Sequence, residues 1–160
     1  MYSKKPKVLD FHEVLAKLKH YCAYQERCYF DVERKMKEYE LTDDEKYEII
    51  SSLRIEDYIN EERFVRSFCR GKFNVKKWGK NKIKNRLLLK SIPSNLIDKG
   101  MTEIDEELYQ SALHQLIKSK ANSLGNLNNR QVQAKVARFA IQRGFESNLV
   151  WAEISTQLKQ

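Results

Sequence analysis

Three stretches decide how this chain folds: VERKMKEYEL at residues 32–41, IKNRLLLKSI at 83–92 and VARFAIQRGF at 136–145. Each carries apolar residues at the same two gaps, four and then five: Val32, Met36 and Leu41; Ile83, Leu87 and Ile92; Val136, Ala140 and Phe145. Residues four apart share a helix face. The fifth step passes the helix end and drops an apolar residue into the turn, over the core. The sets begin 51 and 53 residues apart, a period that marks a repeat array in which each unit buries its apolar face partly on a neighbour. Immediately before each of these turn residues stand Glu40, Ser91 and Gly144. Only glycine enters a left-handed cap without strain, so the third repeat is expected to have the cleanest turn.

Working outward, the pattern predicts nine helical segments, three per repeat. Repeat one starts near Asp10, where Asp10 and Glu13 form a capping pair before Val14, Leu15 and Leu18; its second helix covers roughly 27–39. Thr42-Asp43-Asp44-Glu45 has the spacing of a capping box and opens the third, with Tyr47, Ile50 and Leu53 as its apolar stripe. In repeat two, Asn60 caps a helix bearing Phe64, Val65 and Phe68, Gly79 precedes the middle helix, and Pro93 fits the first turn of the next. Repeat three begins near Asp105 with Leu108, Leu113, Leu116 and Ile117 facing inward. A turn-rich link at 122–129 leads to a last pair of helices carrying Leu149, Val150 and Ile154. The expected fold is all-α, an elongated array of three tandem three-helix repeats. It divides into a basic tail at 1–9 and units at 10–58, 59–104 and 105–160.

The net charge of +8 conceals a division along the chain. Residues 1–62 carry 11 basic and 15 acidic side chains, whereas 63–145 carry 18 basic and 5 acidic, and the window 63–97 has 11 Lys and Arg with no acid. A field of one sign attracts a polyanion or an acidic protein face and speeds encounter. Scattered charge would suit a merely solubilising surface; an acid-free run of this length favours a functional basic face.

Three cysteines, Cys22, Cys28 and Cys69, form no CxxC and have no paired histidines nearby, which suits reduced thiols rather than disulfides or zinc. His12, His20 and His114 are scattered singly, and the five glycines form no phosphate-cradling loop. Dense carboxylates sit at helix starts, where negative charge is favoured. No cofactor and no enzyme activity are expected. No apolar run approaches the ~18 residues that span a bilayer, the first twenty residues are charged throughout, and Lys4-Lys5-Pro6-Lys7 is expected to be a frayed tail. A cytoplasmic monomer with no membrane partner is the expectation.

With the three units in view, the chain resembles the RecX family of recombinase regulators over about residues 10–158. DYINEERFVRSF at 57–68 is similar to the family's junction between repeats one and two, with Tyr58, Asn60, Arg63 and Phe64 in place. GKNKIKNRLLLKSIPSNLI at 79–97 resembles its Gly-led middle helix, and ARFAIQRGF at 137–145 its Arg-Phe…Arg-Gly-Phe signature. Lys80 stands where the family often has Pro, and Glu40 and Ser91 where a turn Gly is common. The first repeat matches mainly at Asp31, Val32, Lys35 and Met36. The resemblance implies a small helical repeat protein that lies in the groove of RecA recombinase filaments on DNA and limits their extension and activity. Direct DNA contact is implied as well.

The candidate contact residues are Lys72, Lys76, Lys77, Lys80, Lys82, Lys84, Arg86 and Lys90 on the link and middle helix of repeat two. Phosphate contact needs positive charge and reach but no fixed motif, so DNA binding is expected to be weak and sequence-independent. Phe73 and Trp78 lie among these lysines and can either stack bases or plug the gap between repeats. Arg138 and Arg143 extend the basic face or cover a helix end. Trp151 reads as packing. The rival reading is a helix-turn-helix-like DNA-binding transcription regulator, since that motif is itself trihelical. The middle helix offers lysines more than base-reading side chains, which favours phosphate or protein contact.

Overall fold

The computed structural model describes residues 4–160. Among the described residues it is all-α, an array of tandem three-helix units. The first unit holds α1 (Phe11–Tyr24), α2 (Tyr29–Met36) and α3 (Asp43–Ile55). The second holds α4 (Glu61–Asn74), α5 (Lys80–Leu89) and α6 (Ser94–Met101), and the third α7 (Glu106–Leu124), α8 (Arg130–Gln142) and α9 (Ser147–Leu158). The helix starts are chemical. The Thr42 hydroxyl accepts from the Glu45 N–H while the Glu45 carboxylate accepts from the Thr42 N–H, a reciprocal cap. Asn60 accepts from the Arg63 N–H, Asp105 from the Leu108 N–H and Asp10 from the His12 N–H. Helix α2 is shorter than its pattern implied, because Cys28 sits at its N-cap with its N–H donated to the Asp31 carboxylate.

Two cores form rather than three. Val14, Leu18, Val32, Met36, Ile49 and Leu53 close the first unit on itself. The second and third units share one continuous core that runs from Phe64 and Val65 through Ile83, Leu87 and Ile97 to Tyr109, Ile117, Val136 and Ile154. Cys28 of the first unit belongs to this second core, with Phe30 packed against it. Ile92 and Phe145 are buried as the repeated spacing requires, and Ser91 (φ 59°) and Gly144 (φ 102°) make the left-handed turns before them. The first repeat departs from this pattern. Leu41 is only partly buried, and Glu40 donates its N–H to the Lys7 carbonyl while the Lys7 N–H goes to the Glu38 carbonyl. Two backbone bonds therefore replace the left-handed turn, and Lys7, expected in a frayed tail, is tied down.

Three apolar residues fall on the other face from the one expected. Tyr47, Leu108 and Trp151 are all exposed. On α7 the inward register is Tyr109, Leu113, Ile117 and Ala121, a strict four-residue spacing one position beyond Leu108. Tyr109 is fully buried because its hydroxyl is satisfied: it accepts the Lys80 N–H and donates to the Glu146 carboxylate. Burial, reinforced by Glu146, pushes this hydroxyl's pKa far up, so it remains a donor. Its ring packs between those of Phe73 and Phe145, with centroids 5.6 and 5.1 Å away.

Candidate functional site: a basic face across the second unit

The site is built where α4 ends and α5 begins. The Lys77 N–H returns to the Phe73 carbonyl and the Trp78 N–H to the Lys72 carbonyl, with Lys77 in the left-handed region at φ 54°. This turn folds the Trp78 ring back over α4, where the Lys72 ammonium lies 4.9 Å from it. The start of α5 is then pinned on the α8–α9 turn. The Gly79 N–H donates to the Arg143 carbonyl (2.8 Å) and the Asn81 N–H to the Gly144 carbonyl (3.0 Å). A Cβ on Gly79 would stand 2.1 Å from the Gly144 carbonyl carbon, so only glycine allows this approach.

The expected cations separate into two groups. Lys80 is engaged: it pairs with Glu106 at 2.6 Å and caps the Tyr109 ring at 4.5 Å. Lys90 pairs with Asp31 of the first unit. Arg143 donates from Nη2 to the Lys76 carbonyl at 2.9 Å, fastening the third unit to the end of α4; of its two sequence readings, covering a helix end is the one seen. Arg138 is exposed on α8, with no carboxylate paired to it among the described residues. Lys76, Lys77, Lys84 and Arg86 are exposed and Lys72 and Lys82 half-buried, and among the described residues none of these six holds an ion pair. Burial, with Lys76, Arg86 and Lys90 close by, pulls the Lys72 ammonium below its usual pKa. Of this cluster only Lys90 has a carboxylate partner among the described residues, Asp31; Lys72, Lys76 and Arg86 are like charges without one.

Lys72, Lys76, Arg86 and Lys90 meet in a groove of about 670 Å³ between the first and second units, together with Phe64, Phe68 and Trp78. Trp78 is half-buried and is ringed by Lys72, by Lys82 at 4.4 Å and by Arg86 at 5.8 Å. Phe73, the other aromatic expected among the lysines, is buried against Tyr109 and belongs to the core. The opposite wall comes from the α1–α2 loop, with Glu26 and Arg27, and from Asp31 in the first turn of α2. Both acids are already paired: Glu26 with Arg63 at 2.7 Å, and Asp31 with Lys90 and the Cys28 thiol. Burial opposes ionisation of Asp31, but Lys90 and the Cys28 thiol and N–H outweigh it and hold the carboxyl below its usual value. The free positive charge of the groove therefore survives its acidic wall.

Sequence reasoning did not mark Arg27, Asn81, Asn85 or Gln142. Arg27 lies outside the acid-free window and reaches the groove only through the packing of unit one on unit two. Asn81, Asn85 and Gln142 line a second, smaller groove of about 250 Å³ with Lys82, Arg86, Leu89 and Ile141, across α5 and α8. Spacing on α5 puts Asn81 and Asn85 on one face, but nothing in the sequence brings Gln142 beside them. Burial pushes the thiols of Cys22 and Cys69 up to about 11 and that of Cys28 up to about 12, so all three stay protonated near neutrality. Among the described residues, no three His, Cys, Asp or Glu side chains are grouped as a metal would need. Among the same residues, no helix is long and apolar enough to cross a membrane.

Comparison with known proteins adds an independent line. The family model for the second three-helix domain of RecX matches residues 60–101 and that for the third matches 106–154, together more than half of the chain. The regulatory protein RecX of Streptococcus uberis is 29% identical over 133 residues, which cover 83% of this chain and 51% of the relative. That of Lactobacillus gasseri is 23% identical over 129 residues, covering 81% and 48%. The chain spans about half the length of the curated relatives it matches. The crystal structure of RecX from Lactobacillus salivarius superposes with a TM-score of 0.79 at 24% identity, over 91% of this chain and 95% of that one. A second RecX crystal structure gives 0.77 at 23% identity, over 87% and 68%.

Proposed function

The chain belongs to the RecX family, and on that premise we propose that it binds RecA recombinase filaments assembled on DNA and limits their extension and activity. The contact surface is the basic face of the second unit. The observation that carries this reading is a local concentration of charge without counter-charge: Lys72, Lys76, Lys77, Lys82, Lys84 and Arg86 lie together on the end of α4, the turn after it and α5, and among the described residues none of them is drawn into an ion pair of the kind seen for Lys19–Glu56, Arg66–Glu103 and Lys80–Glu106. A filament on DNA offers phosphates and acidic protein surface along one continuous track, and a rigid array of helices with a basic flank is suited to lie against it.

A transcription regulator of the helix-turn-helix kind is less well supported. Such a protein inserts the beginning of its recognition helix into the major groove. Here α5, the helix that carries the lysines, cannot act as that helix, because its beginning is covered by the third unit, with the Gly79 and Asn81 N–H groups donated to the Arg143 and Gly144 carbonyls.

The test is ATP hydrolysis by a RecA recombinase on single-stranded DNA with this protein titrated in. A fall in the steady-state rate at about stoichiometric protein is expected. An unchanged rate would refute the reading.

A further inference from the structure

The outer side of α3 is not the purely polar surface of an ordinary exposed helix. Ile49, Ile50 and Leu53 turn inward. Asp44, Glu48, Ser51 and Ile55, spaced four, three and four apart, share the outer side, with Tyr47 beside them. Ile55 is 84% and Tyr47 77% exposed. Among the described residues neither Asp44 nor Glu48 holds an ion pair, and the cations nearest on the helix, Lys46 and Arg54, are turned to Asp43 and to the Tyr29 ring. The groove across α5 and α8 has the opposite character. Leu89 and Ile141, both exposed, line it beside Lys82 and Arg86, and Arg138, one turn before Gln142 on α8, adds a third cation. At 1.5 Å per residue the stripe from Asp44 to Ile55 is about 17 Å long and the α5 wall from Asn81 to Leu89 about 12 Å. An acidic helix face with two large apolar side chains thus has its counterpart in a cationic groove with two of its own.

We infer that the α5–α8 groove is a docking site for α3 of a second copy of this chain. Tyr47 and Ile55 of one copy cover Leu89 and Ile141 of the next, while Asp44 and Glu48 meet Lys82, Arg86 and Arg138. The charge division along the chain favours this arrangement despite the net +8. Residues 1–62 balance at −4 (11 − 15) and residues 63–145 at +13 (18 − 5). Head-to-tail approach brings unlike regions together, whereas side-by-side approach would oppose the two basic segments. The contact is heterologous, so every docked copy still offers a free stripe or a free groove to the next. One helix face in one groove buries less than the roughly 1,200 Å² of a stable pair, so the dilute chain is the monomer expected from its sequence. Lys82 and Arg86 also belong to the basic face, so a docked copy covers part of it. The pairing itself does not depend on the recombinase.

The experiment is sedimentation equilibrium of the chain alone. The average mass should rise above that of one chain between about 10 and 500 µM, the range of a small interface. It should fall back in about 1 M salt, where charges are screened within about 3 Å. Two variants locate the contact. Tyr47→Ser/Ile55→Ser removes the stripe and Leu89→Ser/Ile141→Ser the groove, all four at exposed positions, and circular dichroism verifies that both stay folded. Each alone should sediment as single chains. In an equimolar mixture the intact stripe of the second variant meets the intact groove of the first. Association should return and stop at a 1:1 pair, because neither outer end can extend. Glu48→Lys, a change of charge alone, gives a further arm and should weaken association of the otherwise unaltered chain at least about tenfold. A parent that stays a single chain across the range would overturn the proposal. So would parent-like association of any of the three variants alone, or a mixture that fails to pair. None of these outcomes bears on recombinase inhibition, which is read separately.

Discussion

Replacing Gly79 by alanine tests the joint on which the basic face depends. Gly79 has an ordinary φ of −71°, so alanine there meets no backbone strain, only a shortage of space. Its Cβ would lie 2.1, 2.2 and 2.3 Å from the Gly144 carbon, the Phe145 nitrogen and the Gly144 oxygen, all of them backbone atoms that cannot rotate away. Restoring ordinary separation requires α5 and the α8–α9 turn to move apart by roughly an ångström or more. That breaks the Gly79–Arg143 and Asn81–Gly144 hydrogen bonds, at about 1 kcal/mol each. Alanine at an N-cap costs about 1 kcal/mol more, and the gap over Phe145 adds a similar amount through weaker packing. The expected loss is about 3–4 kcal/mol, or roughly 10 °C in Tm for a chain of this size. Gly71→Ala is the control: it sits inside α4 with nothing within 4 Å of a new Cβ and should stabilise by about 0.5–1 kcal/mol. Urea unfolding followed by circular dichroism reads both. A Gly79→Ala protein within about 0.5 kcal/mol of the parent, the scatter of ordinary surface changes, would show that the two units are not closed on each other in the way described.

Phe145→Ala removes a buried side chain that packs on Tyr109 and should cost about 3–5 kcal/mol in the same urea assay; a parent-like midpoint would contradict its place in the shared core. The Asp31–Lys90 pair predicts a pH signature. The Asp31 carboxyl is held below its usual pKa in the folded chain, so its contribution is complete above the unfolded value of about 3.9 and fades as pH falls through the lower folded value. Asp31→Asn should therefore be less stable than the parent near neutrality, with the gap closing below about pH 4. Urea midpoints across that range check it, and a gap independent of pH would exclude the pair as its source.

Much of the fold was legible because its signals are local. The Thr42–Glu45 box, the Asn60 and Asp105 caps and the burial of Ile83, Leu87, Val136 and Ala140 follow from residues within one helical turn of each other. The misreadings arise where two registers compete. Leu108 and Tyr109 are both apolar and adjacent, and the choice of Tyr109 depends on Lys80 and Glu146 as partners for its hydroxyl, 29 and 37 residues away. The candidate site divides in the same way. An acid-free window identifies a basic surface, but which cations stay free is decided by distant acids: Glu106 takes Lys80 and Asp31 takes Lys90. The merging of units two and three into one core, with the first unit largely apart, also depends on packing that no single repeat encodes.

The central claim is that the unpaired cations of the second unit engage a recombinase filament. Its most direct test is the recombinase ATPase assay on single-stranded DNA with Lys76, Lys77, Lys84 and Arg86 all reversed to Glu, leaving the internally paired Lys80 and Lys90 untouched. These four side chains are exposed, so each change should move stability by only about 0.5 kcal/mol, and circular dichroism verifies that helix content is kept. The account predicts that the parent suppresses ATP hydrolysis and the folded variant does not. A folded variant that suppresses hydrolysis as fully as the parent would contradict it.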